Sequence, residues 1–159
     1  MGIENRAFEI KATVLGSFRK AKPEIDLAIE ELRDYGINVL GPDTGSVILP
    51  KRGDLYLPYP HFAPLESEQG MTPEEVERLF IETCVTKSDF VLVVNPNGYI
   101  GEMASYEIQV ANSRGITIYY SREPIHIANA NIPDELALRV RNLSIKDIVR
   151  IEQEARSQT

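Results

Sequence analysis

The sequence predicts a doubly wound α/β domain with four or five parallel strands flanked by helices. Apolar runs alternate along the chain with helical patterns, and this strand–helix–strand order is typical of a parallel sheet. Residues 89–95 (DFVLVVN) are almost continuously apolar, as expected of a strand buried on both faces. The 159 residues contain neither an internal repeat nor an inter-domain linker. We therefore expect residues 1–159 to form one domain.

The first part of the chain predicts one strand–helix–strand unit. Residues 8–15 (FEIKATVL) form a strand, and a loop follows. Pro23 suits the first turn of a helix that runs to about Tyr35, where Gly36 fits a C-terminal cap. Residues 37–42 (INVLGP) then form a second strand.

Residues 43–71 interrupt this alternation. SVILP and DLYLPY are expected to pair as a small hairpin, and the proline-rich segment after them has no helical period. An irregular stretch of this length in a compact domain is usually a functional lid or a disordered segment. Its apolar side chains favour an ordered flap, although simple surface packing explains them equally well.

A further helix is expected from Thr72, with Pro73 at its first position and Glu75 completing a capping box. The remaining predicted elements are the strand at 89–95, a helix that contains Glu107, a strand at 116–120, a short edge strand at 124–127, and C-terminal helices at about 133–157 that begin at Asp134 or Ser144. This order of elements is Rossmann-like (flavodoxin-like).

The composition excludes several classes of function. A net charge of −7 opposes binding to DNA or RNA, so we expect no nucleic-acid polymer as a partner. No apolar run approaches the about 20 residues that cross a bilayer, and the N-terminal residues lack a secretory pattern. The single cysteine, Cys84, fits a cytoplasmic location and a buried, inert thiol. The two histidines have no cluster of ligands around them, so no metal and no cofactor are expected.

Glu107 is the residue whose position most suggests chemistry. Helical spacing places it on one face with Met103, Ala104, Ile108 and Ala111. A carboxylate on an apolar face loses hydration, which costs free energy unless the group is paired or used. The alternative is that Glu107 lies at the edge of this face and reaches water, as a lone glutamate commonly does.

The loops that follow the strands are the expected ligand-binding region. In open parallel sheets, ligands bind beyond the carboxyl ends of the strands, near the point where strand order reverses. This rule selects the following candidate residues: Gly16, Ser17, Phe18, Arg19, Pro42, Asp43, Thr44, and residues 95–101, which include Asn95, Gly98, Tyr99 and Gly101. Asp89 precedes its strand, so we expect it at the opposite edge as a turn or cap residue.

Residues 16–19 have the character of a small anion site. Gly16 lets backbone N–H groups approach a ligand, Ser17 adds a hydroxyl, and Arg19 can bind two oxygens. The N-terminus of the following helix would add its dipole. Equally, Arg19 can be an ordinary surface charge. The segment is neither a dinucleotide fingerprint nor a P-loop, because GxGxxG and GxxxxGK[ST] are both absent.

Together these motifs resemble the nucleoside 2-deoxyribosyltransferase superfamily, including its deoxynucleoside 5′-monophosphate N-glycosidase branch, from about Lys11 to Pro124. Residues 105–111 (SYEIQVA) resemble the family's small–aromatic–Glu–aliphatic–x–x–Ala helix, whose glutamate is the nucleophile. Residues 14–19 (VLGSFR) look like the first loop of the monophosphate glycosidases, where the Ser and Arg contact the 5′-phosphate. Residues 96–101 and 65–67 resemble segments of another subgroup of this superfamily.

The resemblance implies that Glu107 attacks the anomeric carbon of a nucleotide or nucleoside and forms a glycosyl ester. Water then releases the sugar, or a second base captures it, and we expect hydrolysis ahead of transfer. The resemblance also implies a homodimer or higher homo-oligomer, because sites of this family are often completed by a neighbouring subunit. Candidate substrate contacts besides residues 16–19 are Asp43, Asn95, Gly98, Gly101 and Met103.

Two departures from the family pattern leave the proton donor open. Gly101 stands where the transferases have an aspartate that binds a sugar hydroxyl, and Ile81 stands where they have a second acid. Glu82, Glu102 and Asp43 are the candidate donors, and a surface salt bridge or a helix cap explains each of them as well. Tyr99 either stacks on the base, orients Glu107 or simply packs.

These departures support two further hypotheses. One is a nucleotide-binding sensor that keeps the pocket without turnover. The other is a hydrolase of NAD or another nucleotide-sugar conjugate, since a glutamate nucleophile in an α/β domain suits that chemistry too.

Overall fold

The computed structural model describes residues 9–16, 18–42, 48–49, 55–56, 73–96, 99–100, 102–121, 126–127 and 143–157. The helices and strands, in chain order, are β1 (Lys11–Gly16), α1 (Phe18–Asp34), β2 (Asn38–Gly41), β3 (Ile48–Leu49), β4 (Leu55–Tyr56), α2 (Pro73–Thr83), β5 (Phe90–Val94), β6 (Tyr99–Ile100), α3 (Glu102–Ser113), β7 (Thr117–Tyr120), β8 (His126–Ile127) and α4 (Ile145–Ser157). A 3₁₀ turn, Val85–Lys87, joins α2 to β5.

The predicted α/β class is confirmed. The main sheet has four strands in the order β2–β1–β5–β7, and every neighbouring pair is parallel. The chain moves from β1 to β2 on one side and then crosses to β5 on the other side of β1. The strand order therefore reverses between β1 and β5, and the ligand-binding edge lies beyond Gly16 and Val94.

The sheet separates two hydrophobic cores. On one face, α1 and α4 pack on side chains that alternate along the strands, such as Val14, Leu92 and Val94. On the other face, α2 and α3 pack on the intervening side chains, such as Leu15, Val91 and Val93. All five residues of β5 are buried, because both faces of the strand are covered by helices.

Helix α1 begins at Phe18 rather than at Pro23, but its first turn is separate from the regular helix. Ala21 has non-helical angles, φ −137° and ψ 21°, and Pro23 follows two residues later. Since the proline ring fixes φ near the helical value and removes one N–H, a proline starts a regular helix well. At the other end, Gly36 has φ 87° and Ile37 N–H donates to Leu32 C=O at 3.1 Å, so the predicted C-terminal cap is confirmed.

Two short pairs of strands lie outside the main sheet. Strands β3 and β4 are antiparallel, which agrees with the predicted hairpin. Strand β8 pairs in parallel with β6, so the prediction that it extends an edge of the main sheet is wrong. Strand β8 has only two residues and forms one short ladder of hydrogen bonds. Its partner in this ladder is β6, which follows β5 in the chain.

Helix α4 is capped by Ser144, whose hydroxyl accepts a hydrogen bond from Asp147 N–H at 3.1 Å. The alternative start at Asp134 lies outside the described residues. One face of α4 contains the buried carboxylate Glu152, which accepts a hydrogen bond from Tyr119 Oη at 2.7 Å. This bond ties the last helix to the middle of β7.

Asp89 lies at the amino-end edge of the sheet, as expected. One of its oxygens accepts from Lys11 N–H at 2.8 Å, and the other pairs with Arg156 at 3.2 Å. None of the helices in the described ranges is long and apolar enough to cross a bilayer.

Candidate active site

Helices α2 and α3 both begin at the carboxyl-end edge of the sheet. Helix α3 follows β5, and α2 ends in the turn that enters β5 from the opposite edge. Glu77 is the fifth residue of α2, and Glu107 is the sixth residue of α3. At 1.5 Å per residue, both lie about 6–8 Å along their helices from that edge. Two carboxyl groups are thus held at similar depth below the expected ligand-binding edge.

Glu107 is buried, with 2% of its surface exposed. Ala104, Ile108 and Ala111 share its face and are also buried. The expectation that this face of the helix is apolar and covered is confirmed, and the alternative that Glu107 reaches water is wrong. The side chain cannot leave this environment without unpacking α3 from the sheet, because its neighbours on both adjacent turns belong to the core.

The carboxyl group of Glu77 is the neighbour of the Glu107 carboxyl group. The two carboxyl groups are close enough for the charge and hydrogen bonding of Glu77 to act on Glu107. The contact is poorly aligned, however. Both oxygens of Glu77 and Oε2 of Glu107 are inaccessible to water and have no well-aligned hydrogen-bond partner in the described part of the chain. Buried polar atoms are normally satisfied in native proteins, and exceptions concentrate at functional sites.

Burial raises the pKa of Glu107 well above its ordinary value, and the neighbouring Glu77 raises it further. Burial also raises the pKa of Glu77, while its hydrogen bond to Glu107 acts in the opposite direction. Two carboxylates in contact cannot both ionise easily. The pair therefore keeps a proton to a higher pH than an isolated glutamate does.

Cys84 is a further titratable group near Glu107. If its thiol were ionised, the negative charge would raise the pKa of Glu107. Its own thiol has a pKa raised by burial to about 11, and Sγ donates to Leu40 C=O at 3.4 Å. The thiol is therefore neutral and inert, as the sequence predicts. Tyr120, in the same core, has a buried hydroxyl without a partner among the described residues, and burial raises its pKa to about 12.

The carboxyl ends of β1, β5 and β7 are fixed tightly. A Cβ atom at Gly16 would lie 2.7 Å from Val94 C=O and 3.1 Å from Ile25 Cδ1, so only glycine fits where β1 ends against β5. Asn95 is buried, and its N–H donates to Ser121 Oγ at 3.0 Å, while Ser121 Oγ donates to Asn95 Oδ1 at 3.0 Å. The last residues of these strands thus form a rigid rim.

Most of the predicted contacts in loops fall beyond what the structure describes. Asn95 and Gly16 lie on the rim as expected. Ser17, Asp43, Gly98 and Gly101 lie outside the described residues. Only the backbone is described for the following residues: Phe18, Arg19, Tyr99, Glu102 and Met103. Glu82 is exposed on α2, and the acid that acts on Glu107 is Glu77. Glu82 stays one of the three candidate proton donors, with Glu102 and Asp43.

Glu77 is not among the site residues predicted from the sequence, although its spacing carries a signal. Glu77 precedes Phe80, Ile81 and Cys84 at spacings of three, four and seven, and these three residues are buried. This is the helical spacing that identified Glu107. Glu77 also lies one helical turn before Ile81, on the same face of α2.

The described residues contain no group of three or more His, Cys, Asp or Glu side chains that could hold a metal ion. Comparison of the chain with protein-family models, curated proteins and solved structures gave no match. A function must therefore be inferred from the residues of the site. Their chemistry is that of a desolvated carboxyl pair, which can supply one nucleophile or base and one acid.

Proposed function

We propose that this protein cleaves the N-glycosidic bond of a nucleotide or nucleoside, with hydrolysis of nucleoside 5′-monophosphates as its main reaction. The observation that supports this most directly is the buried carboxyl group of Glu107, with an unpartnered oxygen, on the helix that begins at the rim beyond β1 and β5. An unpartnered buried carboxyl group is costly in a purely structural role. Its position corresponds to the nucleophilic glutamate of the family that the SYEIQVA segment resembles.

Glu107 acts as the nucleophile in this proposal. One carboxylate oxygen attacks the anomeric carbon, the bond from that carbon to the base nitrogen breaks, and the electron pair leaves with the base. Water then attacks the same carbon and releases the sugar from the ester. The dry surroundings of Glu107 strengthen its electrostatic interaction with the positive charge that develops on the sugar ring.

The preference for a 5′-monophosphate depends on residues 16–19. Gly16 ends β1 in contact with β5, so the loop after it starts at the switch point of the sheet. The backbone of α1 begins at Phe18, and its N-terminus favours an anion. Ser17 and Arg19 would then bind the phosphate while the anomeric carbon is presented to Glu107.

A panel of nucleoside 5′-monophosphates and the matching nucleosides tests the proposal, with release of free base as the readout. We expect Glu107→Gln and Glu107→Ala to lose at least about 10³-fold in kcat, the scale for removing a covalent nucleophile. Arg19→Ala should raise KM for monophosphates selectively. Turnover that survives both Glu107 substitutions rules out the nucleophile. A preference for nucleosides that is unchanged by Arg19→Ala rules out the phosphate site.

A second candidate is a nucleotide sensor that binds without turnover. The observation in its favour is that burial shifts both carboxyl groups toward the neutral form, and a neutral carboxyl is a poor nucleophile. A nucleotide that raises the melting temperature, with no base released after prolonged incubation at high protein concentration, would favour the sensor. Base release that depends on Glu107 would exclude it.

A further inference from the structure

We propose that Glu77 is the acid that protonates the departing base and then accepts the proton of the attacking water. This inference rests on the proposed N-glycosidase function and adds its proton donor. It assigns the role to a residue outside the candidates that the sequence indicates, Glu82, Glu102 and Asp43.

The placement of Glu77 supports the assignment. It is held one helical turn below the start of α2, on the face that packs against the sheet, next to Phe80 and Ile81. Its carboxyl oxygens are closed to bulk water and have no well-aligned hydrogen-bond partner among the described residues. A structural glutamate in such a position would normally be paired with a cation or with several N–H donors. Here the neighbouring titratable group is another carboxyl group.

The pair provides the proton that the reaction needs. Because the two groups cannot both ionise easily, the pair keeps one proton to a higher pH than isolated glutamates would. In the resting protein the more deeply buried Glu107 favours the proton. The positive charge that builds on the anomeric carbon favours the ionised form of Glu107. Approach of the substrate therefore moves the shared proton to Glu77, at the moment when the leaving base requires it.

The proton balance closes over one cycle. In the first step Glu107 forms an ester with the sugar, the C–N bond breaks, and Glu77 gives its proton to the base and becomes a carboxylate. In the second step a water oxygen attacks the anomeric carbon, the ester C–O bond breaks, and Glu77 takes the water's proton. Glu77 is again protonated and Glu107 is again ionised, ready to share the proton.

The test compares two substrates whose leaving groups differ in their need for a proton. One is the nucleoside 5′-monophosphate that the wild type cleaves fastest. The other is its N7-methyl derivative if the base is a purine, or its 5-fluoro derivative if the base is a pyrimidine, because these bases depart with less help from an acid. The rate of base release in the first turnover is measured for wild type, Glu77→Gln, Glu82→Gln and Glu107→Gln. Glu154→Gln, an exposed change on α4, controls for the loss of one acid.

We expect Glu77→Gln to slow the first turnover of the ordinary substrate by about 10²–10⁴-fold, the scale for general acid catalysis. With the activated substrate it should retain the first turnover to within about 10-fold and then stall, since no base assists the water. Mass spectrometry of the stalled variant should find the sugar ester on Glu107. Glu107→Gln should lose both substrates, and Glu154→Gln should resemble wild type. Activity toward the activated substrate also shows that Glu77→Gln is folded.

Three outcomes at Glu77 itself overturn the assignment. They are an equal loss by Glu77→Gln on both substrates, no loss on either substrate, and an ester on Glu77. A loss confined to Glu82→Gln transfers the role to that residue and also overturns it. If the wild type releases no base from any substrate, the N-glycosidase function fails, and the role of Glu77 fails with it. If the wild type turns over normally and Glu77→Gln is unaffected, only the assignment of Glu77 as the proton donor fails.

Discussion

Replacing Glu107 by glutamine should stabilise the folded protein, and the gain should grow as the pH rises. The two side chains have almost the same shape, so the substitution leaves no cavity in the core around Ala104 and Ile108. It removes a group whose ionisation is opposed by burial and by Glu77. The new amide also provides N–H donors for the unpartnered oxygens of Glu77.

The direction of the pH dependence follows from the raised pKa of Glu107. The folded protein holds this proton to a higher pH than the unfolded chain, whose glutamates titrate near the ordinary value of 4.5. Wild-type stability therefore falls as the pH rises from about this value through the raised pKa, and it levels off above it. Of the other titratable groups in this core, Cys84 has a pKa of about 11 and Tyr120 of about 12, so neither ionises in this range.

The expected size follows from the burial of a carboxyl group with one unpartnered oxygen. Leaving such a group buried without a partner costs about 1–3 kcal/mol, and more if it is charged. For a domain of this length, 1 kcal/mol changes the melting temperature by about 3 °C. Glu107→Gln should therefore melt about 3–9 °C higher than wild type at pH 8, and the difference should be smaller at pH 4, where the carboxyl group is neutral.

Differential scanning calorimetry or circular dichroism across this pH range measures the difference. Glu82→Gln is the matched control, because it makes the same chemical change on an exposed position and should leave the melting temperature nearly unchanged. A Glu107→Gln protein that is less stable at pH 8, or equally altered at pH 4 and pH 8, would show that Glu107 is not a strained, desolvated acid.

Two further substitutions test the packing that surrounds the site. Gly16→Ala should destabilise the protein by about 1–3 kcal/mol in urea unfolding, because its Cβ would lie 2.7 Å from Val94 C=O; Gly115→Ala, whose Cβ meets nothing within 4 Å, should cost only about 1 kcal/mol for its positive φ, and equal losses would contradict the close approach. Tyr119→Phe should cost about 1–2 kcal/mol, because Glu152 loses a hydrogen bond of 2.7 Å; an unchanged midpoint would show that this bond contributes nothing.

The sequence predicts the main sheet well, because its signals are local. The continuous apolar run of β5 and the helix signals at Pro73 and Gly36 lie within a few residues of the elements that they define. The partner of β8 was not predictable in the same way. Two residues hold too little pattern to choose between the edge of the main sheet and the segment at Tyr99–Ile100.

The candidate site was predictable one residue at a time, but the pairing of residues was not. Helical spacing identifies Glu107 as a carboxyl group on an apolar face, and the structure buries it there. That Glu77 is its partner depends on how α2 and α3 lie side by side on the sheet, and this contact spans thirty positions in the chain. Ile81 lies one turn from Glu77 on the same face, so spacing along α2 alone does not show which position on that face approaches α3.

The division of the interior into two cores has a consequence for how this protein can change. The sheet separates the layer of α1 and α4 from the layer of α2 and α3, which contains Glu77 and Glu107. Effects of substitutions that share no contacts usually add. A tighter fit in the first layer, for example around Ile148 or Leu32, should therefore offset instability caused by the acid pair without touching it. Substitutions on one side of the sheet can therefore change the stability of the fold while the residues around Glu77 and Glu107 stay the same.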